Sequence, residues 1–116
     1  MTRKHAKPLP DVRALLEPAG SPGEEVFTDL LFGRAFRIEH IVSHGARSPS
    51  DFWYDQDQDE WVTLMRGHAC LEFEAGRVEL AAGDALLIPA RLRHRVASTS
   101  ADAVWLAVHF EREHSA

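Results

Sequence analysis

Residues 53–67 read WYDQDQDEWVTLMRG, an aromatic pair and an acidic loop that lead into an alternating apolar run ending at a glycine. Side chains alternate along a β-strand, so Glu60, Val62 and Leu64 share one face of the predicted strand 60–66. A carboxylate on an apolar face is costly to bury without a partner. We therefore predict that Glu60 is a functional residue.

A hairpin is predicted here, with a short strand at 52–56 and an acidic turn at 57–59 ahead of strand 60–66. In that arrangement the polar side chains that converge on one spot are Tyr54, Gln56 and Glu60. Packing is the competing interpretation for Tyr54, since aromatic side chains commonly fill the interior of small β-folds.

The counterpart of this stretch is residues 83–94, GDALLIPARLRH, in which a glycine turn and a short apolar strand lead through a proline to a histidine. Proline cannot donate to a sheet ladder, so Pro89 fits the end of a strand at 85–88. In isolation His94 would be one more solvated basic position, because its near neighbours are Arg91, Arg93 and Arg95.

The composition indicates one globular domain. The chain has 116 residues, and 45% of them are apolar. This length is sufficient for one hydrophobic core but too short for a second. The net charge of −5 argues against a broad phosphate-binding surface, so no nucleic-acid partner is predicted. Cys70 is the single cysteine, and no signal peptide or membrane span is recognisable, so we predict a reduced, cytoplasmic setting without a disulfide.

Outside these two stretches the sequence predicts a tail followed by a β-rich domain. We predict an N-terminal tail at 1–24 with a short helix at 11–17, a barrel domain at 25–112 and a C-terminal tail at 113–116. The remaining predicted strands are 26–32, 35–43, 69–73, 78–80, 85–88, 94–98 and 104–110. Short strands at this spacing are typical of an antiparallel sandwich or barrel.

Strand 35–43 contains an apolar row. Phe36, Ile38 and Val42 share one face, and His40 falls on the same side. A histidine in such a row is more often a hydrogen-bonded packing residue than a ligand, so His40 is not assigned to the site.

Five residues of the two stretches have a spacing that resembles the paired motifs of the cupin superfamily: Glu60, Gly67, Gly83, Pro89 and His94. The resemblance extends over residues 36–110, and two motifs in register are far more specific than one. In detail the chain is similar to small single-domain bacterial cupins that carry WYDQ-x-x-DEW and IPA-x-x-x-HRV. The resemblance implies a jelly-roll β-barrel with a pocket for a small polar molecule.

In metal-binding cupins the first motif supplies two histidines separated by one residue and then a glutamate, and the second supplies a third histidine. Carried over by position, the glutamate falls on Glu60 and the last histidine on His94. Tyr54 and Gln56 hold the other two positions, and Arg91 replaces a glycine of the second motif. Imidazole is a better ligand for transition metals than an amide or phenol oxygen. A divalent transition metal such as Zn, Fe, Ni or Mn would thus bind through an altered set: Gln56, Glu60, His94 and His109.

His109 enters this set only if its face of strand 104–110 points into the barrel. It alternates with Trp105 and Ala107, so the three share that face. A hydrogen-bonded edge or interface histidine is the competing interpretation.

Three functions remain open. The favoured one is a metal-dependent isomerase, lyase or oxygenase, among which the fold does not choose. Another is a metal-free enzyme in which Glu60 and His94 act as general acid and base while Tyr54 positions or protonates the substrate. The third is a binding or sensing protein whose same groups only hydrogen-bond a small polar ligand.

A homodimer is predicted from the outer surface of the sheets. Trp61, Met65 and Trp105, if they lie on that surface, would leave an apolar patch too large for a monomer. We therefore expect a second copy of the chain to cover it.

Overall fold

The computed structural model describes residues 8–17 and 20–112, and within them it contains eight β-strands and no helix. In chain order the strands are β1 (Val26–Phe32), β2 (Phe36–Val42), β3 (Asp59–Arg66), β4 (His68–Phe73), β5 (Gly76–Ala81), β6 (Ala85–Ile88), β7 (His94–Thr99) and β8 (Val104–Phe110). The predicted all-β fold is confirmed. Accordingly, these residues include no helix that could cross a membrane.

Two antiparallel sheets enclose the apolar core. The larger sheet has the strand order β1-β2-β8-β3-β6, and the smaller has the order β5-β4-β7. Core residues come from both sheets, with Val62, Leu64 and Trp105 from the larger and Leu71 and Leu80 from the smaller. The two-residue alternation directs these side chains toward the opposite sheet, so burying them holds the two layers together.

Strand β3 lies between β8 and β6 in the larger sheet and carries Glu60 near its first residue. Glu60 is paired with His109 on β8 and with Ile88 on β6. Residues directly opposite each other on neighbouring strands project to the same face of a sheet. Glu60 and His109 are 7% and 4% exposed, so this face is the interior. His109 therefore points into the barrel, as its inclusion among the predicted metal ligands required.

The segment before β3 differs from the strand predicted at 52–56. Tyr54 forms an isolated bridge with His94, in which Tyr54 N donates to His94 O at 2.7 Å and His94 N donates to Tyr54 O at 3.1 Å. The predicted hairpin with β3 is wrong, because this segment hydrogen-bonds to β7 of the smaller sheet. The bridge nevertheless places Tyr54 beside His94.

Asp59, which was predicted to lie in the acidic turn, instead begins β3 and is buried. Its carboxylate accepts hydrogen bonds from Ala90 N at 2.7 Å and from Arg112 Nε at 2.6 Å. A buried carboxylate requires such charge-assisted partners. These bonds tie the loop after β6 to the start of β3, which fixes the loop leading to His94 relative to the neighbouring Glu60.

The predicted helix at 11–17 is wrong. These residues contain a turn at Leu15 and Leu16 and no helical hydrogen-bond ladder. The Leu15 carbonyl accepts from His40 Nε2 at 2.6 Å, and the Leu16 carbonyl accepts from Arg66 at 2.8 Å. Seven residues ahead of a proline are too few to offset the cost of nucleating a helix. The contact of His40 agrees with its assignment as a hydrogen-bonded packing residue.

The predicted apolar patch on the outer surface is smaller than expected. Trp105 is 4% exposed and lies in the core, whereas Trp61 is 46% exposed. The homodimer stays a prediction. Of the tails predicted at 1–24 and 113–116, residues 1–7, 18–19 and 113–116 lie outside the described residues, and residues 8–10 are exposed.

The turn between β3 and β4 depends on Gly67. Its φ of +84° is in the left-handed region, and an added Cβ would contact the Ser100 hydroxyl and lie 2.8 Å from Asp102 Oδ1. That hydroxyl accepts from His68 N at 2.9 Å and donates to Asp102 at 2.8 Å. A side chain at this position would therefore strain the backbone and disturb these hydrogen bonds.

Gly67→Ala is expected to lower the free energy of unfolding by about 2–5 kcal/mol, the sum of left-handed strain and overpacking. Gly83→Ala is the matched control, because Gly83 also has a positive φ, +96°, yet an added Cβ meets no described atom within 4 Å. The control should lose only about 1–2 kcal/mol. Urea unfolding of the three proteins measures both losses. Equal losses would contradict the role given to the Ser100 contact.

Candidate functional site

A cavity of about 70 Å³ lies between the sheets, at the end of the barrel where β3 begins and β8 ends. Phe27, Ile41 and Trp105 are among the apolar and aromatic residues of its wall. Its polar lining residues are Glu25, Glu39, Tyr54, Gln56, Glu60, His94 and His109. A space of this size holds several water molecules or the head group of a small ligand.

Glu60 and His94 face each other in this cavity without touching. His94 Nε2 lies 3.8 Å from Glu60 Oε1, which is beyond hydrogen-bond distance. The other ring nitrogen, Nδ1, donates to the Leu92 carbonyl at 3.0 Å, so the neutral imidazole has its lone pair on Nε2. Oε1 of Glu60 is buried and has no hydrogen-bond partner in residues 8–17 and 20–112. When Glu60 is ionised, its Oε1 and Nε2 of His94 are therefore two hydrogen-bond acceptors that face each other. The space between them suits a hydrogen-bond donor of a ligand or a shared proton.

Burial raises the pKa of the Glu60 carboxyl above its ordinary value. The interactions with His109 and His94 oppose this effect, Glu39 adds to it, and a hydrogen bond from Gln56 again lowers the pKa. The balance remains upward. Glu60 therefore keeps its proton to a higher pH than an exposed glutamate does, which is the property of a general acid.

Arg91, in the loop before β7, has a left-handed backbone conformation. Its φ is +68°, in the region that favours glycine, and it occupies the position where the resemblance expects a glycine. Its guanidinium forms ion pairs with Asp55 at 3.1 Å and Asp57 at 2.6 Å, and its N–H donates to the Gln56 carbonyl at 2.8 Å. These contacts offset part of the strain. They also fasten the segment that carries Tyr54 and Gln56 beside the cavity.

Tyr54 lines the cavity and stacks on the imidazole of His94, with ring centroids 5.3 Å apart and planes inclined by 22°. Burial raises the pKa of its phenol, and the carboxylates of Glu25, Glu60 and Glu39 raise it further. The side chain is therefore a phenol at neutral pH and is able to donate a hydrogen bond.

The pair formed by Glu39 and His109 was not found from the sequence. His109 Nε2 donates to Glu39 Oε1 at 3.3 Å, and both side chains are buried. Glu39 was not predicted because the opposite face of β2 carries the apolar row Phe36, Ile38 and Val42, which is typical of an inner face. Ile41, two residues from Glu39, was the available signal, since it lies in the core and shares the face of Glu39.

Glu25 and its supporting residues were also missed. Trp105 Nε1 donates to the Ser43 hydroxyl at 2.9 Å, and that hydroxyl donates to Glu25 Oε2 at 2.7 Å. Burial raises the pKa of Glu25, the bond from Ser43 lowers it, and the charge of Glu39 raises it. No local pattern in the sequence marks Glu25, because it precedes β1 and reaches the cavity only through the fold.

The polar side chains do not form a closed set of metal ligands. In the part of the chain that the structure describes, no group of three or more His, Cys, Asp or Glu side chains is placed to hold a metal ion. Nε2 of His109 is bonded to Glu39, and the Tyr54 phenol with its raised pKa is a weak ligand, as is the Gln56 amide. These residues do not fit a tightly bound transition metal. Metal binding stays a prediction.

Two antiparallel sheets that enclose a polar cavity at one end define a small β-barrel of the jelly-roll class. The family described as Cupin domain matches residues 38–109, which is more than half of the chain, and the chain belongs to the cupin family. The predicted family is confirmed.

Three solved structures illustrate the relationship. A Ralstonia eutropha JMP134 protein provisionally named mannose-6-phosphate isomerase is 42% identical, with a TM-score of 0.81 over 89% of this chain and 100% of its own. A cupin superfamily protein of Desulfitobacterium hafniense DCB-2 is 17% identical, with a TM-score of 0.74 over 91% of this chain and 97% of its own. A Streptococcus pyogenes protein of unknown function is 20% identical, with a TM-score of 0.69 over 96% and 92%. The last two show the fold alone. No curated protein matches the chain in sequence.

Ionisation of Glu60 is expected to lower folding stability as the pH rises. Its folded-state pKa is above the ordinary value of 4.5, so the native protein retains a proton that the unfolded chain has lost. The resulting stabilisation is complete below the unfolded pKa and is lost as the pH rises through the folded pKa.

Glu60→Gln removes this titration. As the pH rises above the ordinary glutamate value of 4.5, its free energy of unfolding should fall less than that of the wild type. Urea unfolding at several pH values measures the difference, and Glu79→Gln, at an exposed position on β5, is the control. Identical pH dependence in Glu60→Gln and the wild type would refute the raised pKa.

Proposed function

We propose that the protein is a metal-free, isomerase-type enzyme that moves a proton within a small polar substrate. Glu60 and His94 are its general acid and base. The observation that best supports this proposal is the 3.8 Å gap between them, because a buried carboxyl with a raised pKa there faces the lone pair of an imidazole. Two titratable groups in different environments provide an acid and a base at the same pH.

The substrate in this proposal has a carbonyl group next to a carbon that bears hydrogen and a hydroxyl. Nε2 of His94 takes the proton from that carbon, the electron pair of the C–H bond forms a C=C bond, and the carbonyl oxygen takes the proton of Glu60. The product of this half-reaction is an enediol. The Glu60 carboxylate then removes the proton of the other hydroxyl as its C=O bond forms, and His94 returns its proton to the former carbonyl carbon.

The neighbouring groups support these steps. The Leu92 carbonyl holds Nδ1–H of His94, so the ring keeps Nε2 directed at the cavity. The imidazolium formed after the first transfer lies close to the new carboxylate of Glu60, which stabilises it. The Tyr54 phenol is a donor for a substrate oxygen, because its raised pKa keeps it protonated.

Two other functions use the same residues. A metal-dependent enzyme would bind a metal through Gln56, Glu60 and His94, but the hydrogen bond between His109 and Glu39 opposes recruitment of a fourth ligand. A binding or sensing protein would use the same groups without chemistry. The name of the Ralstonia protein denotes an isomerase, which agrees with the proposed type of reaction.

Proton transfer is tested by exchange of carbon-bound hydrogen in D2O, followed by proton NMR of hydroxyacetone and dihydroxyacetone. The wild type should exchange the hydrogens next to the carbonyl faster than buffer does. His94→Gln and Glu60→Gln should each lower this rate by about 100-fold or more, the usual contribution of a general acid or base. His68→Gln, an exposed histidine at the start of β4, is the control and should retain the wild-type rate. Binding of these compounds without exchange would favour the binding protein.

Metal independence is tested by elemental analysis of the purified protein. We expect Zn, Fe, Ni and Mn well below one per chain, and no effect of a chelator on exchange, because the available donors are too weak. Tyr54→His combined with Gln56→His provides the positive control, since it restores the two histidines of metal-binding cupins and should bind Zn. One metal per wild-type chain that is lost in both Glu60→Gln and His94→Ala would establish the metal-dependent alternative.

A further inference from the structure

The cavity holds two carboxyl groups that proton transfer between Glu60 and His94 does not require. These are Glu25 and Glu39, and none of the described lining residues of the cavity is Lys or Arg. Arg37 approaches Glu39 only at 4.0 Å and does not line the cavity. A phosphate or carboxylate group would therefore lie against several carboxyl groups in a partly desolvated site, where like charges repel strongly.

Glu25 is the carboxylate that the proposed reaction leaves without a role. Its Oε2 accepts from the Ser43 hydroxyl, which in turn accepts from Trp105 Nε1. The Ser43 hydroxyl donates directly to the carboxylate and is held in place by Trp105, and both groups are electrically neutral. Since no Lys or Arg among the described residues lines the cavity beside Glu25, a cation from a ligand is the favourable partner.

The carboxyl oxygen of Glu60 that lacks a hydrogen-bond partner also indicates a cationic ligand. Glu60 is 7% exposed, and its Oε1 lacks a hydrogen-bond partner in the described part of the chain. Nε2 of His94 is likewise an acceptor when the ring is neutral, because Nδ1 carries the proton. A ligand that satisfies these groups must supply hydrogen-bond donors. An ammonium group has both donors and positive charge.

The aromatic wall also favours a cation. Phe27, Tyr54 and Trp105 line the cavity together with the carboxylates. The faces of aromatic rings attract ammonium groups through their quadrupoles. The raised pKa of Tyr54, to which Glu25, Glu60 and Glu39 contribute, agrees with a negative potential at this place.

We propose that the substrate is a small hydroxy-carbonyl compound that also bears an amino group, whose ammonium group binds at Glu25 and Glu39 while its reacting carbon lies at Glu60 and His94. This inference rests on the proton transfer proposed above and adds the class of substrate. It excludes sugar phosphates, although the similar Ralstonia protein has a name that refers to one. No further reactant is needed, since the amine serves only for binding.

The experiment compares three ligands of similar size and different charge: aminoacetone, hydroxyacetone and dihydroxyacetone phosphate. Titration calorimetry near neutral pH should give aminoacetone an affinity about tenfold or more above that of hydroxyacetone, and no detectable binding of the phosphate. Glu25→Gln should reduce the ratio of the first two affinities by about tenfold, because one negative charge is removed. Glu79→Gln removes an exposed charge on β5 and should leave the ratio unchanged. Circular dichroism and urea unfolding verify that both variants are folded.

Equal or weaker binding of aminoacetone than of hydroxyacetone would overturn the inference, as would binding of the phosphate or an unchanged ratio in Glu25→Gln. Hydrogen exchange in D2O is measured separately on the same compounds. Selective binding of aminoacetone without exchange would support the cationic ligand and remove the proton transfer. Exchange of hydroxyacetone without preference for the amine would do the reverse.

Discussion

The burial of one carboxyl group on an apolar strand face is the constraint around which the site is organised. Glu60 lies between His109 on β8 and Ile88 on β6, and its side chain is directed into the interior, where it is only 7% exposed. Desolvation of this kind raises the pKa and favours the protonated form. The chain provides a histidine on either side and leaves one oxygen without a partner. This combination supports the role of general acid that is proposed for Glu60.

The segment bearing Tyr54 and Gln56 belongs to neither sheet. One bridge to His94, the bond from Arg91 N to the Gln56 carbonyl and the ion pairs of Arg91 hold it beside the cavity. The two ligand positions at which this chain departs from metal-binding cupins therefore lie on a loop, whereas Glu60 and His94 lie on strands. A phenol and an amide in place of two imidazoles lower the affinity for a metal and leave the proposed acid and base in position.

Alternation and turn residues predicted the all-β fold and the inward face of β3, because strands have a strict two-residue period. The pairing of Tyr54 with His94 could not be predicted, since it joins segments forty residues apart in sequence. The face of β2 that lines the cavity was not predicted, because the apolar row lies on the other face, where His40 bonds to the Leu15 carbonyl through a contact outside any local pattern. Glu25 and Glu39 were missed for the same reason: their burial depends on tertiary packing, which a single sequence does not display.

The order of strands in the larger sheet has a consequence for how the protein is made. β8 is the last strand of the chain, yet it lies between β2 and β3, and it brings His109 opposite Glu60. Because β2 and β3 are not paired with each other, each has an open edge until β8 lies between them. Such non-local pairing slows folding and exposes edges that can associate with other chains. The cavity therefore cannot be complete before this single central strand has been inserted.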